Sequence, residues 1–189
     1  MSISFKNDKD FDSLLPVELR QKADIHFSPI DIIERSIDFF EENNVSNVLD
    51  IGSGVGKFCI VGAHLSNMHF TGIEIRQSLH LVGQNILKQT KKTSVSLLNM
   101  NITEVPFGQF DGFYYFNPFF ENIADDGQID NKLSTKVQNF NHYTTYVEIA
   151  LNAAPLGSCL ASYWTPHSAI PSSFLLIDSF GELSFWRKG

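Results

Sequence analysis

Nine residues constrain this chain more than any others: Val48-Leu49-Asp50-Ile51-Gly52-Ser53-Gly54-Val55-Gly56. An apolar run stops abruptly in a glycine turn, and a helical pattern begins behind it. Side chains at Gly52, Gly54 and Gly56 would block a ligand's approach or force unfavourable backbone angles. Phe70-Thr71-Gly72-Ile73-Glu74-Ile75 then supplies a second strand ending in a carboxylate, whose two oxygens can accept both hydroxyl hydrogens of a ribose. This pair of elements is the adenosine-binding half of a nucleotide-type α/β unit, so a ribose-bearing cofactor is expected. Backbone N–H groups at the start of the following helix are expected to face the ligand. Asp50, closing the first strand, is placed to orient either the ligand's polar tail or the turn itself.

The rest of the chain alternates strands and helices. Ser28-Pro29-Ile30-Asp31 offers a cap, a proline and an acid at a helix start. Ile30, Ile33, Ile37 and Phe40 continue it as an apolar stripe, with Ile32 and Phe39 widening it. Strands are expected over 45–51, 68–75, 95–100, 110–116, 158–164, 173–179 and 183–186, with helices over 57–65, 78–91 and 136–152. The run 110–116 is nearly all apolar, as in a central parallel strand covered on both faces. The expectation is therefore α/β: a doubly wound, mostly parallel seven-stranded sheet closing on an antiparallel strand pair. It forms a single domain over 28–189, preceded by an extension over 1–27 with a short helical piece near 16–20.

Composition excludes several classes. A net charge of -7 over 189 residues works against broad binding of a phosphate backbone and places nucleic acid behind other partners. Cys59 and Cys159 form neither a disulfide framework nor part of a metal cluster, and no metal is expected. The first residues lack a hydrophobic signal core and no apolar run is long enough to span a bilayer, so a cytoplasmic protein without membrane partners is expected. The seventeen Phe are expected to fill the core, with a few lining a pocket.

Val48 to Ala63 and Thr71 to Glu74 resemble the first two motifs of the class I S-adenosylmethionine-dependent methyltransferases, and the order of elements matches that family from about Ser28 to Trp186. The resemblance implies S-adenosyl-L-methionine as cofactor. It implies that backbone from Gly52 through Ser53 to Gly54 and on to Gly56 approaches the methionine moiety, with Asp50 near its ammonium group. Glu74 would hold the ribose and Ile75 would pack on the adenine. In Leu98-Asn99-Met100-Asn101-Ile102, Asn101 takes the place of the family's acid that accepts from the adenine amino group, with Ile102 beside it. Phe27 either packs beside the methionine end or belongs to the core.

Phe116-Asn117-Pro118-Phe119-Phe120 follows the fourth strand at the carboxyl edge, where open sheets bind ligands. Asn117 is either a turn residue or a functional group. The run resembles a shortened Asn-Pro-Pro-aromatic motif of methyltransferases acting on planar amino groups, with Phe119 in place of the second proline. That resemblance implies Asn117 and Pro118 as acceptors from the target nitrogen and Phe120 as its stacking platform. Asn117-Pro118-Phe119 is also similar to the Asn-Asn-Phe stretch of Dot1-type histone-lysine methyltransferases, where the Asn touches the cofactor. His142, Tyr143, Tyr146 and His167 are either pocket groups or packing residues; Glu121 is a surface acid. The acidic stretch 121–136 is a recognition loop or a solvated crossover.

Methyl transfer needs alignment and exclusion of water more than acid–base machinery, because the sulfonium already carries a neutral leaving group. The expected activity is transfer of a methyl group to a nitrogen of a protein side chain or small molecule. The alternatives are a nucleic-acid base methyltransferase and a non-catalytic S-adenosylmethionine-binding partner subunit.

Overall fold

The computed structural model describes residues 4–117 and 137–189, with side chains from 141 onward in the second stretch. In chain order it contains α1 (Asp8–Asp12), α2 (Val17–Arg20), α3 (Ala23–His26), α4 (Ile30–Glu42), β1 (Asn47–Ile51), α5 (Lys57–Leu65), β2 (His69–Ile73) and α6 (Gln77–Thr90). There follow β3 (Val95–Leu98), β4 (Gly112–Tyr115), α7 (Val137–Asn152), β5 (Cys159–Tyr163), β6 (Phe174–Phe180) and β7 (Leu183–Lys188).

The strands form one sheet of seven in the order β3-β2-β1-β4-β5-β7-β6. Strands β1 to β5 pair in parallel, while β7 runs antiparallel to both β5 and β6. This is the doubly wound sheet with a C-terminal antiparallel pair that the alternation of elements implies. The chain winds outward from β1 to β3, then returns to place β4 on the other side of β1. The crevice at the carboxyl ends of β1 and β4 is therefore the switch point at which such sheets bind ligands.

Two apolar layers cover the sheet. One is built from Phe11, Ile33, Ile37, Phe40, Val48, Ile60, Phe70 and Tyr114 beneath α4, α5 and α6. The other combines Leu49, Ile51, Phe107, Phe113, Val147, Leu151 and Trp186 beneath α7. Alternation along β1, with Val48 in the first layer and Leu49 and Ile51 in the second, is the period-two pattern of a strand buried on both faces. Cys59 and Cys159 are buried and free. Lys188 reaches from β7 to the last turn of α7, where its ammonium donates to the carbonyls of Leu151, Asn152 and Ala154. Among the described residues no helix is long and apolar enough to cross a membrane.

Two local expectations are corrected. Helix α4 begins at Ile30, with Pro29 at its cap, and Ser28 does not cap it: the Ser28 hydroxyl pairs with that of Tyr114 at 2.7 Å. The Ile30 N–H instead donates to Asp8 Oδ1 from the N-terminal segment, at 3.0 Å. That segment also carries more structure than one helical piece: it holds α1, α2 and α3, and its Phe5, Phe11, Leu15 and Ala23 join the first core layer.

Lys57, the first residue of α5, is 3% exposed, and its ammonium lies 2.7 Å from Asp8 Oδ1 and 3.3 Å from Asp12 Oδ1. This buried cation ties the N-terminal segment to the helix that follows the glycine turn. Lys57→Met leaves Asp12 buried without its counterion, which costs about 3 kcal/mol. Urea denaturation should show that loss and hydrogen exchange should show deprotection across α1 to α3; an unchanged midpoint would refute the latch.

Candidate functional site

Gly52, Gly54 and Gly56 all adopt left-handed backbone, with φ of 79°, 56° and 76°. Three glycines in that region reverse the chain between β1 and α5 within a few residues, which side chains would resist. Neighbouring elements press closely on the bend. A Cβ on Gly83 of α6 would stand 2.6 Å from the Val55 carbonyl, and one on Gly72 of β2 would stand 2.8 Å from Ser53 Cβ.

The bend is held from within. Ser53 N–H donates to the Ile73 carbonyl at 2.8 Å, Gly54 N–H to Glu74 Oε2 at 2.9 Å, and Gly56 N–H to the Ser53 carbonyl at 2.8 Å. The amides of Ser53, Gly54 and Gly56 are thereby engaged within the protein.

Glu74 is buried just beyond β2, where its Oε1 also accepts from Arg76 N–H at 2.7 Å. Each carboxylate oxygen has more than one acceptor site. Asn99 braces the same corner by donating to the carbonyls of Glu74 at 2.8 Å and Ile75 at 3.1 Å. Ile75 leaves its side chain half exposed beside this corner.

Asp50 is 3% exposed and accepts from the Cys59 thiol at 3.4 Å. Burial pushes its carboxyl up to about 7; the thiol's hydrogen bond opposes this and the Glu74 charge adds to it. The same pair pushes Cys59 upward, first through burial and then through the Asp50 charge, so its thiol remains a neutral donor.

Because the folded-state pKa of Asp50 lies above its ordinary value, the native protein holds a proton between about pH 4 and 7 that the unfolded chain has released. Its contribution favours folding at low pH and is lost as pH rises through that window. Asp50→Asn removes this loss, so the variant's unfolding free energy relative to wild type should rise by about 3 kcal/mol between pH 5 and 8. Urea midpoints at the two pH values check this, and a pH-independent difference would contradict it.

Asn101 and Ile102 follow β3. Asn101 Oδ1 accepts from Thr103 N–H at 3.1 Å, capping a single 3-10 turn, while its Nδ2 lies 3.3 Å from the Tyr143 hydroxyl. Ile102 turns its side chain into the core. Phe27 is buried, with its ring 3.5 Å from where a Gly54 Cβ would stand, so it is both a core residue and a wall of the glycine bend.

At the far side, Asn117 follows β4 with φ of 30°. Its N–H donates to Thr165 Oγ1 at 3.2 Å, and that hydroxyl lies 3.0 Å from the Tyr115 carbonyl and 3.1 Å from the Tyr163 carbonyl. Thr165 thereby fastens the ends of β4 and β5 together. Pro118, Phe120, Glu121 and the stretch 121–136 lie outside the described residues.

His167 packs edge-on against Trp186 and pairs with the Ser184 hydroxyl at 3.1 Å, which turns it toward β7. Tyr146 donates to the Val105 carbonyl at 3.2 Å and packs edge-on against Phe107, a structural placement. His142 is exposed, whereas Tyr143 is half-buried against Asn101. Among the described residues no cluster of three His, Cys, Asp or Glu forms a metal site.

Sequence reasoning missed Lys57, Gly83, Asn99 and Thr165. Nothing in the local pattern marks Lys57, Gly83 or Thr165, because each acts through a partner far along the chain. The asparagine just after a strand was the one available signal for Asn99.

No protein-family model matches this sequence, and no curated protein matches it significantly. Solved structures do match. An RNA methyltransferase from Salinibacter ruber in complex with S-adenosyl-L-homocysteine superposes with a TM-score of 0.55 at 16% identity, covering 85% of this chain and 91% of that one. A putative caffeoyl-CoA O-methyltransferase from Staphylococcus aureus gives 0.57 at 14% identity, with 94% of both chains covered. TrmN from Thermus thermophilus gives 0.63 at 14% identity, covering 89% of this chain and 52% of that one. The chain has the fold of the class I S-adenosylmethionine-dependent methyltransferases.

Proposed function

We propose that this protein is an S-adenosylmethionine-dependent methyltransferase acting on a nitrogen of a protein side chain or small molecule. The observation that carries this reading is the glycine bend. Its Ser53, Gly54 and Gly56 amides are engaged by the protein, and two buried carboxylates, Asp50 and Glu74, stand beside it. A bend built to cradle a pyrophosphate presents free N–H groups to it, whereas a ribose-holding acid such as Glu74 suits either kind of ligand. This one suits a ligand with a cationic amino-acid end and a ribose, and no phosphate.

In this reading Glu74 accepts from the ribose hydroxyls while it holds Gly54. Asp50 gives up its proton as the ligand's positive charge arrives. Ile75 covers one face of the adenine, and Asn101, held by Thr103 and near Tyr143, meets its edge. Bound S-adenosylmethionine supplies an activated methyl group. The chain's own task is to exclude water and to hold the acceptor nitrogen in line beyond Asn117.

The test is incubation with methyl-labelled S-adenosylmethionine and separate pools of peptides, metabolite extract, RNA and DNA. Label in peptides or metabolites is the expected result. Label confined to RNA or DNA would establish base methylation instead, and cofactor binding without transfer to any pool would establish a non-catalytic subunit.

A further inference from the structure

Among the described residues four that are not glycine adopt positive φ. Asn44 and Lys91 close α4 and α6, where a left-handed residue is an ordinary helix ending. Asn117 at 30° and Trp164 at 49° have no such reason, since they follow the neighbouring parallel strands β4 and β5. Asn tolerates this backbone, but an indole side chain does not adopt it without strain. Thr165 holds Asn117 through the hydrogen bond described above, and the Trp164 N–H donates to the Glu182 carbonyl at 3.1 Å. Strained backbone maintained by its surroundings clusters where a side chain must be presented for function.

The side chain presented here is unusual in a second respect. Trp164 is 56% exposed, whereas Trp186 is 6% exposed. Trp164 packs edge-on against Tyr163, which in turn packs on Phe116, the residue before Asn117. Phe116, Tyr163 and Trp164 thus form an aromatic cluster at the carboxyl ends of β4 and β5. Tyr163 ends β5, two strand spacings or about 10 Å from β1, and Phe116 follows β4, one spacing from it.

Resting on the methyl-transfer reading, we infer that Trp164 is the platform on which the methyl acceptor stacks, and that the acceptor is a flat nitrogen heterocycle without phosphate groups. An indole face attracts flat, electron-poor or cationic rings most strongly. The net charge of -7 opposes phosphate-bearing ligands. Stacking fixes the ring plane and leaves the in-plane nitrogen lone pair free to point along the crevice toward the cofactor. That lone pair forms the new carbon–nitrogen bond as the methyl–sulfur bond breaks. The bonding pair goes to sulfur, which becomes a neutral thioether. The acceptor takes the positive charge, or sheds an N–H proton to solvent if it has one.

The chain has two tryptophans, so acrylamide quenching of indole fluorescence reads chiefly the exposed Trp164. Protein saturated with S-adenosylhomocysteine should be titrated with benzimidazole and nicotinamide, and with cyclohexylamine and AMP as comparators. The flat heterocycles should shield Trp164 and the comparators should not. In Trp164→Ala and Trp164→Gly, heterocycle affinity by calorimetry should fall at least tenfold while affinity for S-adenosylhomocysteine stays unchanged. Trp164→Gly should keep or raise Tm because it relieves the backbone, whereas a purely structural tryptophan would lower it. Equal shielding by cyclohexylamine, or wild-type heterocycle affinity in both variants, overturns the inference. If S-adenosylhomocysteine binds wild type but no heterocycle does, this inference alone fails; if S-adenosylhomocysteine does not bind, the reading beneath it fails as well.

Discussion

Replacing Glu74 with alanine is expected to weaken binding of S-adenosylhomocysteine by at least about 100-fold, equivalent to about 3 kcal/mol. The side chain accepts from Gly54 N–H through one oxygen and from Arg76 N–H through the other, so it joins the glycine bend to the end of β2. Alanine removes both acceptors from a buried corner and leaves two donors without them, while the ribose loses its charged partner. Charge-assisted hydrogen bonds are about twice as strong as neutral ones, so Glu74→Gln should fall between wild type and alanine. Calorimetric titration of the three proteins checks the order, and a threefold or smaller change in the alanine variant would show that the carboxylate serves only the fold.

Asn117→Ala is expected to lower kcat by about 100-fold while leaving cofactor affinity within threefold, the pattern of a group that acts in the transition state. The backbone there has a φ of 30°, so alanine also introduces strain. Asn117→Gly separates the two effects, because glycine keeps the backbone and removes the amide. If transfer of label into the responsive pool recovers in the glycine variant, the residue is a turn former and its side chain takes no part in the reaction. If both variants are equally slow, the amide is required.

The parts of the structure legible in the sequence are those with a local cause. The apolar run 110–116 predicts a central strand, and β4 sits between β1 and β5, buried on both faces. The Lys57–Leu65 helix and the C-terminal strand pair also follow from nearby residues, whose periodicity and turns are complete within a short window. The glycine bend was visible as a bend, but its internal hydrogen bonds were not, because Gly54 finds its acceptor twenty positions along the chain.

Lys57 shows the same limit more sharply. A lysine at a helix start reads as a solvated residue, yet here Asp8 and Asp12, 49 and 45 positions earlier in the chain, pair with it. Ser28 looked like a cap and instead pairs with Tyr114, since a hydroxyl near the sheet finds a buried partner that the local chain does not offer. The strain at Trp164 had no sequence signal at all: tryptophan is not a residue from which left-handed backbone is expected.

The most direct measurement is a pair of calorimetric titrations of the wild-type protein, one with S-adenosylhomocysteine and one with NAD. Three internally bonded amides and the buried Asp50 carboxyl at the bend predict saturable one-to-one binding of the first and no heat from the second. Binding of NAD, or silence with S-adenosylhomocysteine, would contradict the account at its foundation.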